Sequence, residues 1–243
     1  MKGIILAAGR GSRMGVLTNE LPKCRTILHG KELIQWQLEA MEEASIKEIS
    51  IIRGYLAETF EFDVTYFENE RWLQTNMVAS LVAANDWLEK DTCITSYSDI
   101  VYSSDAVIKL MNFPGDIVIT YDPNWLDLWL MRFDNPLSDA ETFRLDGDRV
   151  IKIGGRASST QEIEGQYMGL VKYTPAGWRN VNKFLKGLNQ EEIDKLDVTK
   201  LLQGLIDSGV VVNAVAIIDQ WFEVDTESDL NAYESNFLTS PFS

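Results

Sequence analysis

Glycines alternate with cations in a short segment near the start of the chain, "LAAGRGSRMG" at residues 6–15. Arg10 and Arg13 lie inside this segment, and Lys23 follows it directly after Pro22. Glycines that follow a strand let the backbone approach phosphate closely, and guanidinium groups present a fork of donors that matches phosphate oxygens. The segment therefore predicts a loop that binds the phosphates of a nucleotide.

The charge of the chain is unevenly distributed. The 243 residues carry a net charge of -15, yet Glu20 is the only acid among the first 31 residues. The basic residues of that segment are Lys2, Arg10, Arg13, Lys23, Arg25 and Lys31. A basic segment in an acidic chain suits a small, highly charged anion such as a nucleoside triphosphate, whereas the acidic total argues against a nucleic-acid partner.

A resident dinucleotide cofactor is the main alternative for such a glycine loop. The dinucleotide fingerprint opens a helix at once, but Pro22 and the residues before it continue a helix poorly. The fingerprint also needs an acidic residue after the second strand to bind a ribose, and that predicted strand ends at Arg53 and Gly54. The phosphate-binding sequence Gly-Lys-Ser/Thr is also absent from the loop. These features favour a nucleotide substrate that is cleaved over a dinucleotide cofactor that remains bound.

The segment "LAAGRGSRM", followed by "LPK" at residues 21–23, resembles the signature of the nucleotidyltransferases that activate sugar phosphates and other phosphorylated metabolites. The resemblance implies that the loop wraps a triphosphate, with Arg13 gripping it and Lys23 neutralising the α-phosphate under attack. The loop residues that it assigns to nucleotide binding are Leu6, Ala7, Ala8, Gly9, Gly11, Ser12 and Arg13.

Two carboxylates follow predicted strands and are candidates for a metal site. Asp99 comes directly after the strand predicted at 93–97, and Asp225 precedes the last predicted helix. Open α/β sheets bind ligands at the carboxyl edge of their strands, and Mg²⁺ is commonly held by one or two carboxylates plus phosphate oxygens. The family resemblance assigns both as Mg²⁺ ligands; a helix cap or turn is the alternative for each. The acidic pair at 146–148 predicts a hairpin turn instead of a metal site.

The segment "QTNMVASL" at residues 74–81 predicts the start of a helix. Asn76 and Ser80 are one helical turn apart and therefore share a face. The segment resembles one in cytidylyltransferases that act on phosphocholine and phosphonates, which implies that Gln74, Asn76 and Ser80 line the nucleotide pocket. A capped amphipathic helix explains the same pattern equally well.

The second half carries a narrower resemblance. The segments "WLDLWLMRFDNPLSDAETF" (125–143) and "EIEGQYMGLVKYTP" (162–175) are similar to parts of bacterial cytidylyltransferases for aminoethylphosphonate and for phosphorylated glutamine in capsule synthesis. This implies CTP as donor, a small phosphorylated or phosphonate acceptor, a CDP-linked product and a place in cell-surface polysaccharide decoration. The alternative is a sugar-1-phosphate nucleotidyltransferase using UTP, dTTP or CTP.

Several polar and aromatic residues of this half are candidates for acceptor binding. A guanidinium pairs bidentately with a phosphonate or carboxylate, carboxylates receive an amine, and tryptophan faces receive a cation. The candidates are Trp129, Arg132, Asp139, Glu141, Glu164 and Gln166. For Trp125 and Trp129, four residues apart, packing in the core is favoured over a wall for a cation. The single histidine, His29, excludes a histidine-based metal site or triad.

Strand-like runs alternate with helical patterns over the first half, which is typical of a parallel α/β sheet. Strands are predicted at 3–8, 48–52, 64–67, 93–97 and 116–121, and helices at 31–44, 76–88 and 104–111. The second half adds a hairpin at 140–145 and 149–153, strands at 166–173 and 210–218, and helices at 175–188, at 198–208 and after Asp225. The predicted fold is a Rossmann-like, mostly parallel sheet flanked by helices, similar to nucleotide-diphospho-sugar transferases, with an inserted acceptor lobe rich in β-hairpins.

The chain has the composition of a single domain. We predict that it spans residues 1–238, with a nucleotide-binding half over about 1–121, an acceptor-binding half over about 122–238, and a loose tail at 239–243. The longest apolar runs are strand-sized, so no membrane insertion is predicted. Cys24 and Cys93 are expected to be free thiols, and no signal peptide is predicted. The prediction is a cytoplasmic enzyme, monomeric or homodimeric.

Overall fold

The computed structural model describes residues 1–236, so the predicted tail at 239–243 lies outside the described residues. Thirteen strands run through the described part of the chain. They are β1 (Lys2–Ala7), β2 (Ile27–Leu28), β3 (Lys31–Glu32), β4 (Glu48–Arg53), β5 (Thr65–Glu68), β6 (Cys93–Tyr97), β7 (Ile100–Val101), β8 (Ile117–Asp122), β9 (Glu141–Asp146), β10 (Arg149–Arg156), β11 (Gln166–Tyr173), β12 (Asn213–Ala216) and β13 (Phe222–Glu223).

Nine α-helices lie among the same residues. They are α1 (Leu33–Glu43), α2 (Met77–Val82), α3 (Asn85–Leu88), α4 (Ser104–Asn112), α5 (Trp125–Arg132), α6 (Pro175–Leu185), α7 (Gln190–Lys195), α8 (Val198–Asp207) and α9 (Glu227–Asn236). Short 3₁₀ helices add turns to the connections, two of them in the segment that follows β1, at Ser12–Thr18 and Lys23–Arg25.

One large sheet organises the fold. Its strand order is β5-β4-β1-β6-β11-β8-β12-β10-β9. Every strand of this sheet except β10 and β11 runs in the same direction, since these two pair antiparallel with their neighbours. The mostly parallel α/β sheet predicted from the sequence is therefore confirmed. The carboxyl ends of β1, β6, β8 and β12 lie at one edge, where open α/β sheets bind their ligands.

Both faces of the sheet are buried. Because side chains alternate along a strand, Ile4 and Leu6 of β1 contribute to one hydrophobic cluster and Ile5 and Ala7 to another. The first cluster includes α2, α3, α6 and α8, and the second includes α1, α4 and α5. Layers of helix on both sides explain why the strands are continuous apolar runs, as a doubly covered parallel sheet requires.

The start of α1 differs from the prediction. Lys31–Glu32 pairs with Ile27–Leu28 instead of continuing the helix toward its N-terminus. The two-residue turn between these strands places His29 and Gly30 at φ 49° and 77°, which is the positive-φ geometry of a tight hairpin. The helix predicted from residue 31 therefore begins at Leu33.

The helix predicted at 76–88 is divided in two. Ala84, between α2 and α3, adopts φ -95° and ψ 19°, which is not helical. The side chain of the next residue, Asn85, accepts a hydrogen bond of 2.7 Å from the indole nitrogen of Trp178 on α6. This contact lies 93 positions away along the chain, so local periodicity does not reveal the break. The sequence reasoning also missed the short helix α7.

The predicted hairpin forms between β9 and β10. Gly147, in the turn at 146–148, has φ 59°, so the acidic pair there is part of a hairpin turn as predicted. Arg149 of β10 pairs with Asn213 of β12, which places the hairpin at the edge of the large sheet. The second half of the chain is thus continuous with the sheet of the first half. None of the helices within residues 1–236 is long and apolar enough to cross a membrane.

Candidate active site

The glycine-rich loop begins where β1 ends and folds back on Lys23. Gly11 has φ 72°, and a Cβ at this position would lie 2.5 Å from Cβ of Lys23. Glycine is therefore required here both for the backbone geometry and for the approach of the lysine. The hydroxyl of Thr18 donates to the carbonyls of Gly11 and Gly15, both at 3.3 Å, and holds the loop together.

Lys23 lies at the centre of the site and joins two acidic residues. Its Nζ donates to Oδ2 of Asp99 at 2.7 Å and to Oδ1 of Asp225 at 2.6 Å. Lys23 is 6% exposed. Burial opposes its charge, but the two carboxylates outweigh this effect and raise the pKa of the ammonium above its usual value. Lys23 is consequently a buried cation at neutral pH.

Asp225 is surrounded by cations from three parts of the chain. Besides Lys23, its carboxylate lies 2.8 Å from Nη2 of Arg13 and 3.3 Å from Nη2 of Arg132. Burial alone would raise the pKa of Asp225, but these cations hold the pKa below its ordinary value. The alternative role as a helix cap is taken by Thr226, whose hydroxyl accepts from the backbone N–H of Asp229 at 3.2 Å.

Arg132 is buried behind Asp225. Its side chain is inaccessible to solvent and contacts Glu223 at 2.5 Å and Asp229 at 3.2 Å, in addition to Asp225. Burial raises the pKa of Glu223 to about 7, with Arg132 opposing and Asp225 adding to the shift. The predicted pairing of Arg132 with an acceptor is at odds with this placement, because its guanidinium is occupied by three carboxylates. Arg132 supports Asp225 from within the protein.

Asp99 and Asp225 meet the requirements of a divalent-ion site that phosphate oxygens complete. Oδ1 of Asp99 is buried and has no hydrogen-bond partner among residues 1–236, whereas its Oδ2 is held by Lys23. A buried carboxylate oxygen without a partner is unfavourable, and a hard cation satisfies it. No set of three or more protein ligands occurs within this part of the chain. Two carboxylates plus phosphates is the set expected for Mg²⁺.

A small cavity of about 110 Å³ opens at the carboxyl end of β1. Its lining residues are Leu6, Ala8, Gly9, Trp72, Thr75, Asn76, Met77 and Ser80. Five of them are residues predicted to bind a nucleotide. Asn76 also caps α2, because its Oδ1 accepts from the N–H of Met77 at 2.8 Å, so the cap interpretation applies and binding of a nucleotide by this segment stays a prediction. The predicted Gln74 is exposed, and it lies outside the lining of this cavity together with Ala7, Gly11 and Ser12.

A second cavity of about 350 Å³ adjoins the first and shares Asn76 and Met77 with it. Its other lining residues are Arg13, Tyr97, Trp129, Asp139, Glu141, Gln166, Tyr167, Asp197, Thr199, Glu223 and Asp225. Arg13 of the glycine-rich loop and Asp225 therefore face the space where the acceptor residues were predicted, whereas Asp99 and Lys23 are not part of its lining. A larger cleft of about 550 Å³ between α2, α6 and α7 contains none of the predicted site residues.

Four of the six predicted acceptor residues line the second cavity: Trp129, Asp139, Glu141 and Gln166. Trp129 is also a core residue as predicted, since it is 3% exposed and its ring lies 5.9 Å from that of Trp125. Its indole nitrogen donates to Asp139 at 3.1 Å. Glu164 is not part of the cavity. Its carboxylate is exposed and accepts from the N–H of Leu145 at 2.6 Å.

Glu141 differs from the other acids of the second cavity. Its backbone is fixed by both ends of the Gln166 amide, at 3.1 and 2.7 Å. Its carboxylate has neither an ion pair nor a hydrogen bond within residues 1–236, whereas Asp139 bonds Trp129 and Asp197 pairs with Lys200 at 2.6 Å. Burial, together with Asp197 and Asp139, raises the pKa of Glu141 to about 7 against the opposing effect of Lys200.

Several lining residues were not predicted as site residues: Trp72, Thr75, Met77, Tyr97, Tyr167, Asp197, Thr199 and Glu223. One signal was present for Tyr97, which ends a predicted parallel strand at the edge where ligands bind. Asp197 precedes a helical pattern and caps α8 through the N–H of Lys200 at 2.7 Å, so its local pattern indicates only a cap. Thr75 and Met77 belong to the segment "QTNMVASL" that was predicted to line the nucleotide pocket, and Glu223 lies two residues before Asp225. The remaining residues, Trp72, Tyr167 and Thr199, reach the site through tertiary contacts that no local pattern records.

The mostly parallel sheet, the glycine loop with its trailing lysine, and the paired aspartates at the sheet edge define a nucleotidyltransferase. Residues 3–131 match the family model of the MobA-like NTP transferase domain. The chain belongs to this family.

The similar proteins match either nearly the whole chain or about half of it. A CTP:phosphoglutamine cytidylyltransferase of Campylobacter jejuni is 37% identical over 95% of this chain and 98% of that protein. A 2-aminoethylphosphonate cytidylyltransferase of Lancefieldella rimae is 33% identical over 44% of this chain and 46% of its own length. The solved inositol-1-phosphate CTP transferase of T. maritima has a TM-score of 0.78 at 19% identity, covering 96% of this chain and 93% of that one. The last likeness shows the fold.

Proposed function

We propose that the protein is a CTP-dependent cytidylyltransferase. It transfers CMP to the phosphate or phosphonate of a small acceptor and releases pyrophosphate. The observation that carries the proposal is the pair of adjoining cavities, which share Asn76 and Met77. The small cavity takes the base, and the second cavity, with Arg13 and Asp225 in its wall, takes the phosphates and the acceptor. The similarity to the cytidylyltransferase for phosphoglutamine over nearly the whole chain supports CTP as the donor.

The reaction needs charge neutralisation and alignment more than it needs a protein nucleophile. An oxygen of the acceptor's phosphate attacks the α-phosphorus of CTP, and the bond to the bridging oxygen of pyrophosphate breaks. Because the acceptor oxygen is already ionised, no general base has to remove a proton. The catalytic contribution is therefore positioning and electrostatic stabilisation, as in phosphoryl transfer generally.

Lys23 and Arg13 supply the permanent charge for this reaction. Lys23 is a buried cation, and Arg13, whose side chain is 64% exposed, forms its ion pair within residues 1–236 with Asp225. In the structure both cations bond to Asp225. A triphosphate competes with this carboxylate for the same donors, so both side chains turn toward phosphate oxygens when CTP binds.

Asp99 and Asp225 would hold a divalent ion, with Mg²⁺ proposed as the ion. When bound, the ion supplies Lewis-acid stabilisation of the phosphate charge. Lys23 bonds Oδ2 of Asp99 and Oδ1 of Asp225, whereas Oδ1 of Asp99 has no hydrogen-bond partner among residues 1–236 and would be open to the ion. Lys23, next to these carboxylates, would neutralise the α-phosphate.

The second cavity is suited to an acceptor that carries an amine as well as a phosphate or phosphonate. Its lining includes the carboxylates of Asp139, Glu141 and Asp197 and the aromatic rings of Trp129 and Tyr167. Carboxylates and aromatic faces together bind ammonium groups. Phosphorylated glutamine, aminoethylphosphonate and phosphocholine all have this chemistry, and a role in capsule or other surface-polysaccharide synthesis follows from such acceptors.

Pyrophosphate release tests the proposal directly. Each of CTP, UTP, dTTP and ATP is combined with phosphorylated glutamine, aminoethylphosphonate, phosphocholine and glucose 1-phosphate, with Mg²⁺ and with EDTA. We expect release with CTP and an amine-bearing acceptor, and none in EDTA. Turnover of UTP or dTTP with glucose 1-phosphate, and none with CTP, contradicts the proposal and indicates a sugar-1-phosphate nucleotidyltransferase.

A further inference from the structure

The small cavity contains two hydroxyl groups, on Thr75 and Ser80, and a single side chain controls both of them. Asn69 follows β5 and is 9% exposed. Its Nδ2 donates to Oγ1 of Thr75 and to Oγ of Ser80, each at 2.9 Å. Asn69 was not among the residues predicted to form the site, and it does not line the small cavity itself.

The orientation of the Asn69 amide is fixed by the backbone around it. The N–H of Arg71 donates to its Oδ1 at 3.0 Å, and a backbone N–H bonds only to an acceptor. The oxygen of the amide must therefore face Arg71, which leaves the NH₂ group toward the two hydroxyls. The main chain of Asn69 is also bonded, to Arg53 and Trp72, at 2.9 and 3.1 Å. The residue has no alternative orientation that satisfies these contacts.

The two hydroxyls consequently present different groups to the cavity. Oγ1 of Thr75 donates its proton to the carbonyl of Arg71 at 2.9 Å. Oγ of Ser80 accepts from Asn69 and donates to no atom within residues 1–236. Because a lone pair of Ser80 is occupied by the amide, its proton points away from Asn69. Ser80 is therefore the hydroxyl of this cavity that has a free proton.

We propose that Asn69 selects cytosine by orienting Ser80 as a hydrogen-bond donor to N3 of the base. This inference rests on the proposed function and on the base lying in the small cavity. N3 of cytosine is an acceptor, whereas N3 of uracil and thymine carries a proton. A donor held at this position bonds to cytosine and opposes uracil, because two donors then face each other in a buried site. Asn69 is a positioning residue, since it acts on the base only through Ser80.

Asn69→Asp reverses the polarity of this arrangement with little change in shape. One carboxylate oxygen still accepts from the N–H of Arg71, but the other accepts from Ser80 instead of donating to it. Ser80 then presents a lone pair to the cavity, which suits the N3–H of uracil. We expect the ratio of kcat/KM for CTP to that for UTP to fall by a factor on the order of 10–100, with a gain for UTP as well as a loss for CTP.

Ser80→Ala provides the second variant. It removes the hydroxyl that donates to N3, so the ratio of kcat/KM for CTP to that for UTP falls toward 1. It also removes the group through which Asn69 acts on the base. In the Ser80→Ala background, Asn69→Asp is expected to change the ratio by less than about twofold, since the coupling between the two residues is lost. Asn135→Asp is the matched control, because Asn135 lines neither cavity and its Oδ1 accepts from the N–H of Leu137, a bond that an aspartate keeps. It is expected to leave the ratio unchanged.

The measurements are steady-state pyrophosphate release with CTP and UTP, calorimetric affinities for CMP and UMP, and thermal unfolding of each variant. The inference is overturned if Asn69→Asp folds and leaves the CTP-to-UTP ratio of kcat/KM unaltered. It is also overturned if Asn69→Asp changes this ratio equally in the wild-type and Ser80→Ala backgrounds. Should Asn69→Asp not fold, an unaltered ratio in Ser80→Ala overturns it. A wild-type protein that turns over UTP in preference to CTP instead contradicts the proposed function, so the two failures are distinct.

Discussion

Lys23 and Asp225 form a buried ion pair, with 2.6 Å between Nζ and Oδ1, although 202 positions separate them in the chain. The lysine comes from the loop after β1, and the aspartate comes from the segment before α9. The pair therefore connects the segment that contains the glycine-rich loop with the C-terminal part of the described chain. In the ligand-free protein the ammonium of Lys23 and the carboxylate of Asp225 are therefore already hydrogen-bonded to each other.

Lys23→Ala is expected to lower kcat by a factor on the order of 10²–10³, the usual effect of removing one electrostatic stabiliser. The substitution removes the buried cation that would balance the α-phosphate. Pyrophosphate release under saturating CTP and acceptor measures the change. Lys2→Ala is the matched control, because Lys2 lies at the other end of β1 and pairs with Glu48 and Asp91. A folded Lys23→Ala enzyme with wild-type turnover would rule out the catalytic role.

Asp99→Asn is expected to raise the Mg²⁺ concentration needed for half-maximal activity by about tenfold or more and to lower kcat. The amide keeps the shape of the side chain but loses the charge that a hard cation prefers. Titration of activity with Mg²⁺ after removal of metal by EDTA measures both effects. Asp105→Asn, on an exposed position of α4, serves as the control. An unchanged metal requirement in Asp99→Asn argues against its role as a ligand.

The sheet was predictable because its strands are buried on both faces. Strands at β6 and β11 were predicted with the bounds that the structure has, since their apolar runs end abruptly at polar residues or turns. Errors arose where tertiary contacts override local pattern. The hairpin of β2 and β3 shortens α1, and the bond from Trp178 to Asn85 accompanies the break between α2 and α3.

The site was predictable only in part, for a physical reason. Lys23 and Asp99 belong to segments that follow β1 and β6 of the large sheet. Asp225 reaches them because β13 pairs with β7 in a separate small sheet and the N–H of Val224 donates to the carbonyl of Asp99 at 2.9 Å. Arg132 was assigned to the acceptor because its charge suits a phosphonate. The sequence does not reveal that three carboxylates, from positions more than 90 residues later, occupy this charge inside the protein. The charge of Arg132 predicts an anionic partner, but the sequence does not show whether that partner is a ligand or a carboxylate of the protein.

Arg132→Met is expected to lower the free energy of unfolding by about 3–5 kcal/mol, the range for removing one partner of a buried ion pair. The substitution leaves Glu223, Asp225 and Asp229 close together without the guanidinium between them. Urea unfolding followed by circular dichroism measures the loss. Arg156→Met, at an exposed position of β10, is expected to change stability by less than about 0.5 kcal/mol. Equal effects of the two substitutions would contradict the structural role of Arg132.

Glu141→Gln is expected to stabilise the protein more at pH 8 than at pH 5. Burial, Asp197 and Asp139 raise the pKa of Glu141 from 4.5 to about 7, so between these values the folded state binds a proton that the unfolded state has lost. Stability therefore falls as pH rises through this window, and glutamine removes that loss. The difference between the two pH values is on the order of 2–3 kcal/mol at 1.36 kcal/mol per pKa unit. Urea unfolding of both proteins at each pH measures it.

The same residue is expected to govern the affinity for an amine-bearing acceptor. Because the carboxylate of Glu141 ionises only as pH rises through about 7, KM for aminoethylphosphonate should fall across this range in the wild type. Glu141→Gln should remove this pH dependence and raise KM at pH 8 about tenfold, with kcat little changed, since the lost interaction is made equally in the ground state and the transition state. Glu164→Gln is the control, because its carboxylate is exposed and bonded to Leu145 outside the cavity. A pH dependence of KM that persists unchanged in Glu141→Gln would contradict this role of Glu141.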